Sequence, residues 1–285
     1  MKFSVVVVNY DSWPFTLRCV GALNETGCED FEVVIVDNDQ RPAPRIPHDV
    51  ILVRNPVNEG FARACNRGIS ASAGEYVILL NPDALVGRDF FERAGEFLDG
   101  NPRAGIAGPR ILDGAGNLQL SARREVGFAS GILGRTSFLT RLFPKSSIVK
   151  RFFPAAGVQA GPTQVDWVSG ACMMVRRRTL EETGLLDGRF FMYFEDADLC
   201  RRAREAGWLV YYLPDVEVLH HTGASSRARP RAIWRLHKSA FLYHRKHGAH
   251  GPLNLYSLLV LLGLSGRALA KLGVSLAASA SGKGA

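Results

Sequence analysis

Asn81-Pro82-Asp83 closes the apolar run YVILL, and a carboxylate just past a buried strand can hold a divalent cation against phosphates. All three residue types also form turns, so a plain turn and a cation site both stay open. In FFMYFEDADLCRRAREAGW, residues 190 to 208, four aromatics and a methionine run directly into Glu195, Asp196 and Asp198. One carboxylate is enough to cap the helix that DLCRRAREAG implies. Three of them within four residues, behind side chains that exclude water, suit a general base with supporting neighbours. A base beside a helix N-terminus is expected to have a lowered pKa, which leaves it ionised and moderately basic. His220 and His221 in VLHHTGASS are metal or phosphate ligands, or an ordinary strand end. NPVNEGFARACNRGI gathers Asn58, Gly60, Arg63, Asn66 and Arg67 around a helix start, where amides and backbone N–H groups suit a nucleotide. Neither the dinucleotide glycine fingerprint nor a P-loop is present.

Parallel strands would position these groups. KFSVVVVNY, FEVVIVDND and EYVILLNPD have the β-branched and apolar richness of strands buried on both faces, and they are separated by helix-length intervals. That order predicts βαβ units and an α/β fold with a mostly parallel sheet. Each strand ends in polar residues, and ligands of open α/β sheets bind beyond those carboxyl ends. VDWVSGACMMVRRRTL reads as a strand entering a helix, and WLVYYLPDVEVLHH as one late strand or two. Residues 127–163 break into short apolar and aromatic pieces, an expected variable insertion over one edge of the fold or against a membrane. After a first domain over 1–226, residues 227–285 predict a basic amphipathic helix, a more apolar one and a disordered tail. The apolar stretch from Leu253 to Gly266 is interrupted by Asn254 and stopped by Arg267, too short to span a bilayer but suited to lying on its surface.

The chain of 285 residues is 47% hydrophobic and 22% charged, a folded composition, and its formal net charge of +8 calls for an anionic partner. Five scattered cysteines without ligand spacing read as reduced thiols, and the valine run is too short for a signal-peptide core. A cytoplasmic location follows as an expectation.

Taken in order, VVVVNYDS, VVIVDND, NPVNEGFARACNRGI, YVILLNPDA, VDWVSGACMMVRR, FFMYFEDADLCRRAREAG and VLHHTGASS resemble the family 2 glycosyltransferases, and among them the rhamnosyltransferase-like branch. The resemblance covers most of residues 3 to 226. It implies a GT-A fold and inverting transfer of a sugar, L-rhamnose from dTDP-rhamnose, to a glycan or polyprenyl-linked acceptor in cell-surface polysaccharide synthesis. By the same resemblance the DxD motif that binds Mg²⁺ or Mn²⁺ and the diphosphate falls on Asn81 to Asp83. Asn replaces the first Asp, so Asp83 becomes the main metal ligand, completed by His220, with His221 as the competing register. Asp37 matches the residue that reads base or ribose, flanked by Asn9 and Tyr10. Asp196, with Glu195, matches the catalytic base. Trp167, Gly170 and Ala171 would lie near sugar or acceptor, with Asp198 in support, and Arg123 matches a basic position of unassigned role. A polyprenyl acceptor implies peripheral contact with the cytoplasmic face of the inner membrane, through patches at Arg141 to Phe153 and Arg227 to Lys246 and the helix after Leu253.

Two other readings compete, one an enzyme and one not. A sugar nucleotidyltransferase would carry a glycine-rich basic N-terminal loop, which VVNYDSWPFTLRC is not. A catalytically degenerate nucleotide-sugar or glycan-binding protein is raised by Asn81, and intact Glu195, Asp196 and His220 argue against it. Nucleic-acid binding has no motif here, and the basic residues are dispersed.

Overall fold

Valines 5 to 8 lie in β1 (Phe3–Asn9), a strand in which every residue is buried. Successive side chains point to opposite faces. Val5 and Val7 therefore enter one core cluster and Val6 and Val8 another. Fully burying one such side chain contributes about 1.5–3 kcal/mol. The computed structural model describes residues 1–124, 161–221, 230–248 and 265–266. After β1 come α1 (Trp13–Asn24), β2 (Phe31–Asp37), β3 (Val50–Arg54), α2 (Phe61–Ser70), β4 (Tyr76–Leu80), β5 (Ala84–Val86), α3 (Phe90–Gly100) and β6 (Ala104–Leu112). Two short strands follow, β7 (Leu118–Gln119) and β8 (Ala122–Arg123). The remaining described elements are β9 (Thr163–Val165), β10 (Trp167–Val168), β11 (Cys172–Arg176), α4 (Arg177–Thr183), α5 (Glu195–Glu205), β12 (Leu209–His220) and α6 (Pro230–His247).

The main sheet has the order β3-β2-β1-β4-β11-β6-β12-β5. Strands β3, β2, β1 and β4 run parallel, as do β6 and β12. Between these two parallel blocks β11 is antiparallel to both neighbours, and β5 closes the far edge antiparallel to β12. One core cluster packs Trp13, Val20 and Leu23 of α1 with Phe90, Ala94 and Leu98 of α3 under one face. The other packs Ala62, Cys65 and Ile69 of α2 with Leu199 and Ala203 of α5 over the opposite face. Coverage of both faces is why the strands can be apolar throughout.

Strand β6 lacks the valine-rich signature. β6 reads AGIAGPRIL, and its glycines are close-approach positions: a Cβ at Gly108 would lie 2.5 Å from Val168, and one at Gly105 2.8 Å from Trp208. Edge strand β3 is only partly buried. The late segment is one strand of 12 residues, with a register shift between Leu213 and Glu217 opposite Pro109. Proline lacks the ladder N–H, so this irregularity is where a sheet accommodates it.

All five cysteines are free thiols, four of them buried. The expected basic amphipathic helix is α6, with Ile233, His237 and Ser239 buried and Arg231, Trp234, Lys238 and Arg245 exposed. Most of the expected insertion over 127–163, the patch from Arg141 to Phe153 and the apolar segment after Leu253 lie outside the described residues, apart from 161–163 and 265–266. Among the described residues no helix is long and apolar enough to cross a membrane.

Candidate active site

The carboxyl ends of β1 and β2 carry a buried polar network. Asn9 donates from Nδ2 to Asp37 Oδ1 at 2.8 Å, and its own Oδ1 accepts from the hydroxyls of Ser12 and Thr16, both at 3.0 Å. Asp37 is fully buried and also accepts from the Asp39 N–H at 3.0 Å, while Arg54 Nε sits 3.4 Å from its other oxygen. Asn55, just past β3, donates to Asn38 Oδ1 at 2.6 Å, and Asn38 donates to the Gly60 carbonyl at 3.2 Å. Three strand ends and the start of α2 are thereby locked together. Tyr10 stands exposed above the network. Asp39, hydrogen-bonded by Arg41, is held below the usual carboxylate range, so this rim keeps its charge.

Past β4, Asp83 is buried, and its Oδ1 lies 3.2 Å from Nε2 of His220 at the end of β12. Asn81 Nδ2 is 3.3 Å from the same ring nitrogen. The antiparallel pairing of β12 with β5, which matches His220 to Ala84, brings the two motifs together across the sequence. His221 donates its main-chain N–H to the Asp83 carbonyl at 3.0 Å, but its ring lies where a Cβ on Gly114 would meet Nδ1 at 2.9 Å. His220, not His221, therefore faces Asp83. A carboxylate and an imidazole both suit a divalent cation such as Mn²⁺, while Mg²⁺ prefers oxygens alone. Among the described residues no group of three or more His, Cys, Asp and Glu that could hold a metal ion is present, and an ion held by Asp83 and His220 would need further oxygens from a ligand.

Asp196 and Glu195 open α5. Tyr193 and Phe194, just before them, adopt left-handed backbone angles, φ 72° and 67°, which cost non-glycine residues about 1–3 kcal/mol each and cluster at functional sites. The helix begins at Glu195 with Phe194 as the capping residue, so Asp196 lies inside the first turn rather than at the cap. Its carboxylate accepts from the Gly170 N–H at 2.9 Å and the Ala197 N–H at 2.8 Å. The expected lowering of its pKa is reversed: burial raises it, and those two N–H donors and the Arg123 charge offset only part of the rise. Helix-end location mattered less than loss of water. Glu195 is raised well above its ordinary value by burial and by the charge of Asp196, so Asp196 is the member of the pair that ionises first.

One short turn joins the two halves. The Asn81 N–H donates to the Ala171 carbonyl at 2.9 Å, one residue past the Gly170 N–H that holds Asp196. Around Asp196 the wall is aromatic: Trp167 stacks on Phe194 at 6.4 Å between centroids, Phe194 meets Tyr243 of α6 at 5.5 Å, and Arg123 lies 4.6 Å over the Trp167 ring.

Asp198 points elsewhere. Two residues along a helix rotate a side chain by about 200°, so it faces away from Asp196. It is fully buried against Arg202 at 2.8 Å, Lys246 at 2.6 Å and His247 at 2.7 Å. Arg63 donates to the Gly188 carbonyl at 3.1 Å, and Asn66 exchanges both amide atoms with the backbone of Leu186, at 2.8 and 3.0 Å. These side chains fasten α2 to the loop ahead of the aromatic run. Asn58 accepts from the Gly60 N–H at 3.0 Å and so shapes the entry to α2. Sequence reading passed over Asn38, Arg54, Asn55, Gln119 and Tyr243. Asn55 was recoverable, because it follows a strand as Asp37 does; Gln119 sits on a strand of two residues that leaves no periodic signal.

A family model described as "Glycosyl transferase family 2" matches residues 4–184. An N-acetylglucosaminyl-diphospho-decaprenol L-rhamnosyltransferase of Mycobacterium tuberculosis is 32% identical over 257 residues, covering 84% of this chain and 82% of the relative. A dTDP-rhamnosyl transferase of Shigella flexneri is 27% identical, covering 88% of this chain and 81% of the relative. Among solved structures, a Pyrobaculum calidifontis mannosyltransferase in complex with GDP-Man and Mn²⁺ superposes with a TM-score of 0.58 at 18% identity, over 98% of this chain and 75% of that one. That likeness is one of fold, the GT-A arrangement.

Proposed function

The chain belongs to glycosyl transferase family 2, and we propose that it transfers L-rhamnose, with inversion, from dTDP-rhamnose to a hydroxyl of a lipid-linked glycan in cell-surface polysaccharide synthesis. The observation that carries this reading is the turn bonded to Asn81 on one side and to Asp196 on the other, which brings the Asn81–Asp83 segment and the half-buried Asp196 carboxylate to one end of the sheet. The names of two relatives, one acting on a decaprenol-linked acceptor and one using a dTDP-rhamnosyl donor, support the choice of sugar and acceptor class.

On this reading Asn9, Tyr10, Asp37 and the Gly60 entry to α2 hold the nucleoside. Asp83 and His220 would hold Mn²⁺ or Mg²⁺ together with the diphosphate. Such an ion supplies positive charge that offsets what gathers on the departing nucleoside diphosphate. Asp196 takes the proton of the acceptor hydroxyl as its oxygen bonds to the anomeric carbon and the carbon–phosphate oxygen bond breaks on the opposite face. The raised pKa of Asp196 makes it a stronger base than an exposed carboxylate. Trp167, Phe194, Ala171 and Tyr243 exclude water from that proton transfer. Asp198, Arg63 and Asn66 hold the supporting loops.

A panel of dTDP-, UDP- and GDP-sugars tested with Mn²⁺ should give transfer from dTDP-rhamnose, and no turnover of any of them would sink the enzymatic reading. Asp196→Asn should retain donor binding and lose about 10²–10⁴-fold in kcat. Unchanged turnover would remove Asp196 as the base while leaving the family intact.

A further inference from the structure

We propose that Gln119 is a positioning residue that fixes His220 in the ring tautomer able to ligate a cation beside Asp83; this rests on the cation site proposed above. Gln119 lies on β7, matched to Ile111 of β6. Its Nε2 donates to the main-chain carbonyl of His220 at 2.9 Å. A carbonyl oxygen only accepts, so this bond fixes which end of the amide points where. The amide oxygen is thereby left facing His220 Nδ1, at 3.1 Å. That oxygen also only accepts, so Nδ1 carries the hydrogen and, in the neutral ring, Nε2 presents its lone pair.

The lone pair faces Asp83 Oδ1 at 3.2 Å and accepts from Asn81 Nδ2 at 3.3 Å. A lone pair directed at a carboxylate is unfavourable until a cation comes between them. Without Gln119 the ring is free to carry its hydrogen on Nε2 and donate it to Asp83. Each ligand would then quench the other, and an arriving ion would have to break that bond first. In the neutral ring Gln119 disfavours this self-quenched state by holding the hydrogen on Nδ1. Its own support is the turn between β6 and β7, where Asp113 Oδ1 accepts from the N–H groups of Ala115 and Asn117 at 2.9 and 2.8 Å. Partners that set a ligand histidine's tautomer alter metal affinity by roughly 10–100-fold when removed.

The test is Mn²⁺ binding to the full chain in the presence of dTDP, read as loss of the free-ion EPR signal, alongside ¹⁵N NMR of the histidine rings without metal. Wild type should show His220 with its hydrogen on Nδ1. Gln119→Met should bind Mn²⁺ roughly 10–100-fold more weakly and show the Nε2–H form at His220. Unchanged Mn²⁺ affinity in Gln119→Met, or an Nε2–H ring at His220 in wild type, overturns the inference; the second measurement needs no variant to fold. Asp83→Asn separates the two levels. If it leaves Mn²⁺ binding intact, the cation site fails and this inference with it. If it abolishes binding while Gln119→Met does not weaken it, only the role of Gln119 falls.

Discussion

Asp196 is caught between burial, which raises its pKa, and groups that hold it down: the backbone N–H groups of Gly170, Ala197 and Asp196 itself and the nearby Arg123 guanidinium. A carboxylate with a raised pKa is protonated, and so useless as a base, at a higher pH than an exposed one. The acid limb of kcat/KM should therefore lie above the ordinary aspartate range, with activity lost as pH falls through it. Arg123→Gln should move that limb further up, measured as rate against pH at saturating donor; a limb that stays in place would mean the guanidinium is not felt at the base. Sequence alone singled out this carboxylate and expected the opposite shift, because a helix start is visible in DLCRRAREAG, whereas the Gly170 N–H and the Arg123 charge come from segments far away in the chain.

At the scale of elements, the aromatic run is clamped from both sides. From below, the Phe61 N–H of α2 donates to the Phe191 carbonyl at 2.7 Å, and a Cβ on Gly60 would sit 2.4 Å from that same oxygen, with φ already at +88°. Gly60→Ala should cost more than about 1 kcal/mol, since alanine is strained at positive φ, and should displace the base as well. Thermal denaturation together with kcat checks both parts. From the other side α6 is latched by Asp198, by Ser239 bonded to the Met192 carbonyl at 2.8 Å, and by Arg235 lying 4.1 Å over Phe191. Burial alone would raise the pKa of Asp198, but the hydrogen bond from His247, then Lys246 and Arg202, outweighs it and holds the carboxylate low. Its contribution is present above the unfolded-state pKa and is lost as pH falls through the folded one. Asp198→Ala leaves Lys246 its bond to Asp187 and Arg202 its bonds to the carbonyls of Thr183, Gly184 and Leu185, but removes the anion both share with His247, and should cost about 1.5–3 kcal/mol. Proteolysis within α6 should quicken in that variant and, in wild type, on acidification; equal rates would disprove the latch. DLC reads from sequence as a continuation of the acidic motif, and only the helical turn of about 200° separates the two duties.

Across the whole molecule, the parallel core was readable because valine and isoleucine runs ending in Asn9, Asp37 and Asn81 announce both the strands and the sheet edge at which their polar ends gather. β6 was not readable, since its glycines serve packing against Val168 and Trp208, segments roughly 60 to 100 residues away. The same holds for the meeting of Asp83 with His220, which depends on β12 returning beside β5. A formal net charge of +8, with Arg231, Lys238 and Arg245 exposed on α6 beside an exposed Trp234, suits a surface rich in anionic lipid. Removing the residues from Leu253 onward should weaken sedimentation with anionic vesicles while leaving dTDP binding unchanged; equal sedimentation would exclude that segment as an anchor. The turn at residues 169–171 also bears on how such an enzyme can diversify. Because it is bonded to Asn81 and to Asp196 at once, on the proposed reading the span from leaving group to base acts as a fixed gauge. A bulkier or slimmer acceptor has to be accommodated sideways, by changes at Trp167, Phe194 or Tyr243, so new specificities can arise in the jaws without the gauge being recut.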